Sequence, residues 1–555
     1  MNAIWIVVFA IVAYALGYRF YASFLSEKIW KLDPKVVTPA VKHEDGFEYV
    51  PTQKFVVFGH HFTSIAGAAP IVGASIAAIW GWLPALLWLV FGTIFIGCVH
   101  DFGAMVTSLR HDGRGIADYL KELLGPTAVV LMYIVVFFLL VLVTAVFVHL
   151  IATLSKVYPG AVLSVWVEVP LAIFIGLMIR RKWKINLYVV TAIALAIMYG
   201  MIYVGYYVPI KFDYWTWVVI LLVYIFVAAR LPVWLLVQPR DFINAYQLVI
   251  MLAVVTVGVI VFVLTGDGQV HAPVVNFAPK GAPPIWPFVM ITIACGATSG
   301  WHSIVGSGTT PKQVRSEVDA KFVGYGGMIG EGYLCLIALL CAVVGLGAAG
   351  YAKNYSAWGA AKWPTIFATG GATFLEPLGL PLAIGAIFMA VVIKSFAMTT
   401  LDSAMRFTRI AFAESSRTWG LPKFFTDRTV SMIPGFVVIA LLCFSGHQMV
   451  LWPLFGATNQ ILAGLALLAS AVYLKMLGRP NLSYIIPFFI MIITSMTAQV
   501  WMIINSYIPK QQWELAFIGI VAFICGIGIM IIGYRRWRTG RLEAAAGEPA
   551  YVEAS

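Results

Sequence analysis

Charge is scarce in this chain of 555 residues: Asp, Glu, Lys and Arg together make up 11%, against 61% hydrophobic residues. Soluble domains are about a quarter charged, so a soluble fold is excluded, and repeated apolar runs of about 20 residues point to membrane-spanning helices. Cysteine is sparse as well. Cys98, Cys295, Cys335, Cys341, Cys443 and Cys525 all lie in apolar runs and none forms C-x-x-C, which argues against a disulfide framework or a zinc cluster. Several motifs are missing. There is no G-x-x-x-x-G-K-[ST] loop, because "GSGTTPKQ" has the wrong spacing, and ATP-driven transport is disfavoured. No H-x-x-x-H or H-E-x-x-H metal pattern occurs, and adjacent His60 and His61 point about 100° apart on a helix, so they cannot share an ion as a helical pair. No repeated filter motif suggests a channel. No G-x-S-x-G elbow is present, which leaves an intramembrane serine hydrolase with Ser299 as nucleophile as a minor alternative. No loop is long enough to bury its own core, so the signalling domain that a non-transporting sensor would need is lacking.

What is present is an all-α polytopic pattern. About fifteen spans can be read, near 3–20, 55–79, 83–107, 126–154, 162–180, 186–208, 216–237, 243–265, 286–305, 324–349, 380–413, 430–445, 448–475, 483–507 and 515–534. Of the 36 Lys and Arg residues, 28 fall in segments after odd-numbered spans and 6 in the others. Positive-inside sorting then puts the N-terminus outside and the C-terminus in the cytoplasm. The net charge of +12 faces anionic lipid rather than nucleic acid. The first span reads as an uncleaved anchor, since no A-x-A pattern follows it. "GIADYLKELLG" reads as an amphipathic interfacial segment, and the tail "LEAAAGEPAYVEAS" as disordered.

Two of the spans are interrupted by polar and small residues. "FGHHFTSIAGAAPIVGAS" lies in the second and "ITIACGATSGWHSIVGSGTTPKQ" in the ninth. Glycine and proline weaken a helix, and irregular backbone is tolerated at membrane depth only where protein or water satisfies it. A close helix crossing explains the small residues but not the histidines and hydroxyls beside them. Seven spans separate the two, so they cross in opposite directions, as in an inverted repeat that binds substrate between discontinuous helices. Ionisable residues gather nearby: His60, His61, Asp101, His302, Glu331, Lys394 and Asp402. Each is costly in lipid and thus a functional candidate. Asp101 and Asp402 can also be read as interfacial, and Glu168 as an outer packing or gating residue. A deep Lys394 needs a carboxylate partner or loses its proton readily. Thr399 and Thr400 add hydroxyl oxygens that suit sodium, so proton and sodium both remain open from the residues alone.

The stretches "TPAVKHEDGFEYVPT", "FGHHFTSIAGAAPIVG", "LPVWLLVQPRDF", "ITIACGATSGWHSIVGSGTTPK", "GYGGMIGEG" and "LWPLFGATNQILAG" resemble the carbon starvation protein A family, from about Arg19 to Leu474. That resemblance implies a carrier of the bacterial cytoplasmic (inner) membrane that takes up peptides or pyruvate when carbon is scarce. It also implies the amino acid/polyamine/organocation superfamily, with two inverted five-helix repeats, and favours protons over sodium as the coupling ion. Span 2 would match the first broken helix, span 9 the sixth and span 11 the eighth. "WGAAKWPTIFATGGATFLEP" would match an outer lid. The breaks lie seven spans apart instead of five, so spans 7 and 8 are inserted. The expected division is 1–54 for an N-terminal helix and loop, 55–210 for the first repeat, 211–284 for the insertion, 285–478 for the second repeat and 479–555 for C-terminal helices and tail.

The expected function is secondary active transport of a small carboxylate-bearing nutrient by alternating access, not enzymatic catalysis, and no cofactor or metal is called for. His61, Thr63, Ser64, Gly67, Thr298, Ser299, Gly300, His302 and Ser303 form the candidate substrate site, where backbone N–H groups would hold the carboxylate. His60, Asp101, Glu331, Lys394, Thr399, Thr400 and Asp402 form the candidate coupling set, shared with His61 and His302.

Overall fold

Apolar runs without a backbone-breaking residue become long helices, and runs of small and polar residues become breaks. The computed structural model describes residues 2–46, 48–181, 186–266, 268–360, 363–447 and 450–539. In chain order these form α1 (Ala3–Ile29), α2 (Lys54–Ile65), α3 (Ala69–Trp80), α4 (Trp82–Leu109), α5 (Ile116–Leu124) and α6 (Pro126–Val157). There follow α7 (Ala161–Arg180), α8 (Val189–Tyr207), α9 (Tyr214–Ala228), α10 (Val237–Thr265), α11 (Ile285–Thr292), α12 (Gly300–Gly308) and α13 (Lys321–Gly345). The last are α14 (Trp363–Leu375), α15 (Leu382–Thr418), α16 (Val430–Phe444), α17 (Leu451–Met476), α18 (Leu482–Tyr507) and α19 (Trp513–Arg538). The only extended pairings among the described residues are the isolated bridges Asn2–Gln269 and Thr52–Val314.

Eleven described helices are long and apolar enough to cross a membrane, or twelve with the bent pair α2/α3 as one span. The chain is thus a multi-pass membrane protein. The remaining three of the fifteen expected spans differ in kind. α9 and α16 are shorter apolar helices, and span 9 is divided into α11 and α12. At 1.5 Å per residue, the 15 residues of α9 reach about 22 Å, short of a ~30 Å hydrocarbon core. The tail "LEAAAGEPAYVEAS" lies outside the described residues.

Local chemistry accounts for the first break. Proline lacks the N–H that a helix interior needs, and its ring collides with the carbonyl four residues back, yet it fits a first turn. Pro70 accordingly sits in the first turn of α3, which is bent 53° from α2. α5 is the expected amphipathic segment: it buries Ile116, Tyr119, Leu120, Leu123 and Leu124 and leaves Lys121 and Glu122 exposed. That apolar face packs on α6 and α17. α17 is enclosed by α6, α12, α18 and α19, and its Thr458, Asn459 and Gln460 are fully buried.

Loop contacts fall into two groups, one at each end of the bundle. At one end, Ala3 N donates to Gly268 O, Trp82 N to Pro273 O and His271 N to Val343 O. At the other, Val50 N donates to Lys312 O, Arg110 pairs with Glu317, and Lys475 contacts Trp537 O.

Candidate functional site

The two breaks lie side by side and run in opposite directions. His61 Nδ1 is 3.0 Å from Thr310 Oγ1, and Trp301 Nε1 donates to Ser64 O at 3.1 Å. Further along, an added Cβ on Gly296 would come 3.4 Å from Pro70 Cβ, and one on Gly73 would come 2.5 Å from Thr292 O. Residue numbers rise along one segment as they fall along the other, which is antiparallel packing of α2/α3 against α12/α11. Between the breaks is a hollow of about 20 Å³ lined by Ile65, Gly67, Ala69, Cys295, Trp301 and Thr400, together with apolar side chains of α6 and Phe455. That is room for about one water.

Neighbouring helices donate to four backbone carbonyls at and just before the second break. Met290 O accepts from Gln460 Nε2 at 2.7 Å, Thr292 O from Trp452 Nε1 at 3.1 Å, Ile293 O from Trp88 Nε1 at 3.2 Å and Gly296 O from Thr93 Oγ1 at 2.9 Å. At the N-terminus of α12, Trp301 N donates to Asn459 Oδ1 at 3.1 Å, so a side chain from α17 stands where a carboxylate was expected. The expected hydroxyls are engaged too. Thr63 donates to Gly59 O, Ser64 to His60 O, Thr298 to Ala297 O and Ser303 to Gly300 O, at 2.6–2.8 Å. Such local bonds bend and weaken helices. Gly300 is needed for close approach, since a Cβ there would lie 2.3 Å from Asn459 O.

A buried ionisable chain runs beside the second break. His100 Nδ1 is 2.7 Å from Asp101 Oδ1, Asp101 Oδ2 is 2.8 Å from His302 Nδ1, and His302 Nε2 is 2.9 Å from Glu331 Oε2. All four side chains are fully buried. Asp101 is therefore internal and not interfacial. α4, α12 and α13 supply the chain, so it joins the second break to two uninterrupted helices. His61 packs against Gly327 on α13. His60 Nε2 is buried with no hydrogen-bond partner among the described residues.

The remaining coupling candidates separate from that chain. Asp402 Oδ2 accepts from Arg240 Nη1 at 2.9 Å, and Arg240 Nε donates to Glu168 Oε1 at 2.9 Å. Tyr224 Oη is 2.7 Å from Arg240 Nη1, and the three charged side chains are fully buried. This corrects one reading, since Asp402 is enclosed and not a solvated interfacial group, and it gives Glu168 its partner, a buried ion pair with Arg240. Arg240 itself was missed. "QPRDF" looks like a loop because of Pro239, but a proline in the first turn leaves α10 intact, and that turn carries Arg240 inward. Thr399 Oγ1 accepts from Asn244 Nδ2 at 2.6 Å. Thr400 donates to Phe396 O and faces Gly67 across the hollow. Lys394 is fully buried, and its Nζ has no hydrogen-bond partner among the described residues; no carboxylate pairs with it.

The profile of the family described as carbon starvation protein CstA matches residues 2–363 and 348–498. The chain is similar to the peptide transporter CstA of Escherichia coli K12, at 32% identity over 93% of this chain and 82% of that one. It is similar to the pyruvate/proton symporter BtsT of the same organism, at 31% over 86% and 78%. The peptide transporter CstA of Bacillus subtilis 168 is 30% identical, with 97% of both chains covered. Among solved structures, a manganese transporter of Eremococcus coleocola aligns over 86% of this chain and 96% of that one, at 12% identity and a TM-score of 0.31, a likeness too slight to carry an argument.

Proposed function

Because this chain belongs to the carbon starvation protein CstA family, we propose that it is a secondary active transporter importing a small carboxylate, pyruvate or a short peptide, by proton-coupled alternating access in the bacterial inner membrane. The observation that carries this reading is the antiparallel pair of breaks, sharing a hollow and flanked by the buried Asp101–His302–Glu331 chain. Discontinuous helices meeting at mid-depth are how many carriers build a site that either side of the membrane can reach. The hollow has room for only about one water, which suits an occluded state whose breaks must part to admit a substrate.

The opposite directions expected of the two breaks in an inverted repeat are supported by that antiparallel register. Orientation is supported by the loops. The end carrying the 309–320 and 475–479 loops is the basic end, which the positive-inside rule assigns to the cytoplasm. A histidine held between two carboxylates, sealed from solvent, can take up or release a proton when the neighbouring break opens. His302 is thus assigned the coupling role, with Asp101 orienting it and Glu331 sharing its charge. Lys394, buried with no counter-charge among the described residues, is assigned a second coupling role. A hydrolase reading finds no support, since Ser299 Oγ is met by Asn459 and Cys295 and not by a histidine.

The test is uptake into proteoliposomes of labelled pyruvate and labelled dialanine, with and without an acidic exterior. Wild-type protein should concentrate at least one of them when the exterior is acidic. His302→Gln and Lys394→Ala should each lose accumulation by tenfold or more while still exchanging labelled for unlabelled substrate. Accumulation against a gradient in either variant removes that residue from coupling, and a wild type indifferent to the pH gradient removes proton coupling altogether.

A further inference from the structure

A second cavity, of about 130 Å³, lies near the end of the bundle that the proposed orientation places outside. Its wall is aromatic: Tyr355, Trp363 and Trp452 are buried and Trp358 half-buried, with the Trp363 and Trp452 ring centroids 5.9 Å apart. Lys510, exposed at the turn before α19, is the only charged side chain among the described lining residues. No acid is among its described lining residues, so the pocket disfavours a cation and favours a single negative charge. Its size limits the occupant. A cavity of about 150 Å³ takes one benzene, six heavy atoms, so roughly that many fit here.

The wall is bonded to the ends of both broken segments. Tyr355 Oη donates to Ser75 O on α3 at 2.5 Å, and Trp452 Nε1 donates to Thr292 O at the end of α11. Whatever fills the pocket presses on side chains that hold the outer halves of both breaks. We propose that this pocket is an outer binding site for a monocarboxylate of about six heavy atoms, its short carbon body against the Trp and Tyr rings and its carboxylate on the Lys510 ammonium. As a waiting position on the route to the inner hollow, it rests on the transport reading; as a binding site, it stands without it. It also favours a short oxo or hydroxy acid over a dipeptide, which has about twice the heavy atoms.

Two measurements test this on the full-length protein. In detergent, pyruvate should change tryptophan fluorescence saturably. Lys510→Gln should raise the apparent Kd tenfold or more, Lys510→Arg should restore most of the affinity, and dialanine should compete poorly. In proteoliposomes, Lys510→Gln should raise the KM for pyruvate at least fivefold with little change in maximal exchange rate. Lys510 is exposed, so the variant folds. Equal affinity in wild type and Lys510→Gln overturns the site, and dialanine competing as well as pyruvate overturns its size class. Normal fluorescence binding without any uptake would overturn the transport reading while leaving this site standing.

Discussion

Arg240 is a fully buried cation on the first turn of α10, holding Glu168 from α7 and Asp402 from α15, with Tyr224 from α9 as a third partner. Taking three charges out of water costs several kcal/mol per ion unless each is paired, and breaking such a cluster leaves an uncompensated charge. Arg240→Met should therefore lower stability by about 3–5 kcal/mol, read as an earlier thermal midpoint in detergent. The triple variant Arg240→Met, Glu168→Gln, Asp402→Asn should recover most of that loss, because no charge is then stranded. A single variant that melts with the wild type removes this cluster from the forces joining the four helices. The His302 chain differs in kind. It joins a broken helix to its neighbours, so its cost is borne where movement is proposed, whereas the Arg240 cluster joins uninterrupted helices.

α12 has only nine residues and begins at the second break, so most of its stability must come from what it touches. Its first N–H groups are the orphans of any helix start, and its own Ser299 makes no cap. Asn459, in the third turn of α17, takes that part by accepting from Trp301 N and pairing with Ser299. Asn459→Ala should cost about 1 kcal/mol, the usual worth of a cap. It should also speed hydrogen exchange at the first turn of α12, while Asn459→Asp, which keeps an acceptor, should not. Unchanged exchange in the alanine variant would mean that packing alone holds the half-helix. The same logic explains the engaged carbonyls at the break: Trp88, Trp452, Thr93 and Gln460 stabilise an irregular backbone that lipid could not.

At the scale of the whole molecule, the end that the proposed orientation places in the cytoplasm is held by a latch. Arg110 Nε pairs with Glu317 Oε1 at 2.8 Å, Glu317 Oε2 accepts from Asp33 N at 3.1 Å, and Arg110 and Arg479 both donate to Trp30 O. The latch ties together the segments that follow α1, α4, α12 and α17. Nearby Asp112 binds Lys42 at 2.8 Å and His43 at 3.2 Å. Burial raises its carboxyl, but the hydrogen bonds from Lys42 and His43 outweigh that and hold it below its ordinary 3.8. The Asp112 carboxylate's part in this contact is thus fully present above that value and is lost as pH falls through the lowered one. Glu317→Ala should loosen the inner end and expose Cys295, which lines the hollow. In a variant whose only cysteine is Cys295, a maleimide applied to the cytoplasmic face should react several times faster after that change. An unaltered rate would mean that the latch does not govern access from inside.

From the sequence alone came the membrane class, the two interrupted spans and the ionisable residues worth watching. These follow from composition and from backbone rules that act within a few residues: too little charge for a soluble surface, Pro70 unable to continue a helix, small and hydroxyl residues unsuited to a plain span. The tertiary structure alone decided the pairings. That His302 lies between Asp101 and Glu331, that Asp402 belongs to Arg240 and Glu168, and that Asn459 caps α12 are facts about residues some 30 to 230 positions apart. Buried charges find partners through packing between helices, and no local pattern records which helix will lie next to which.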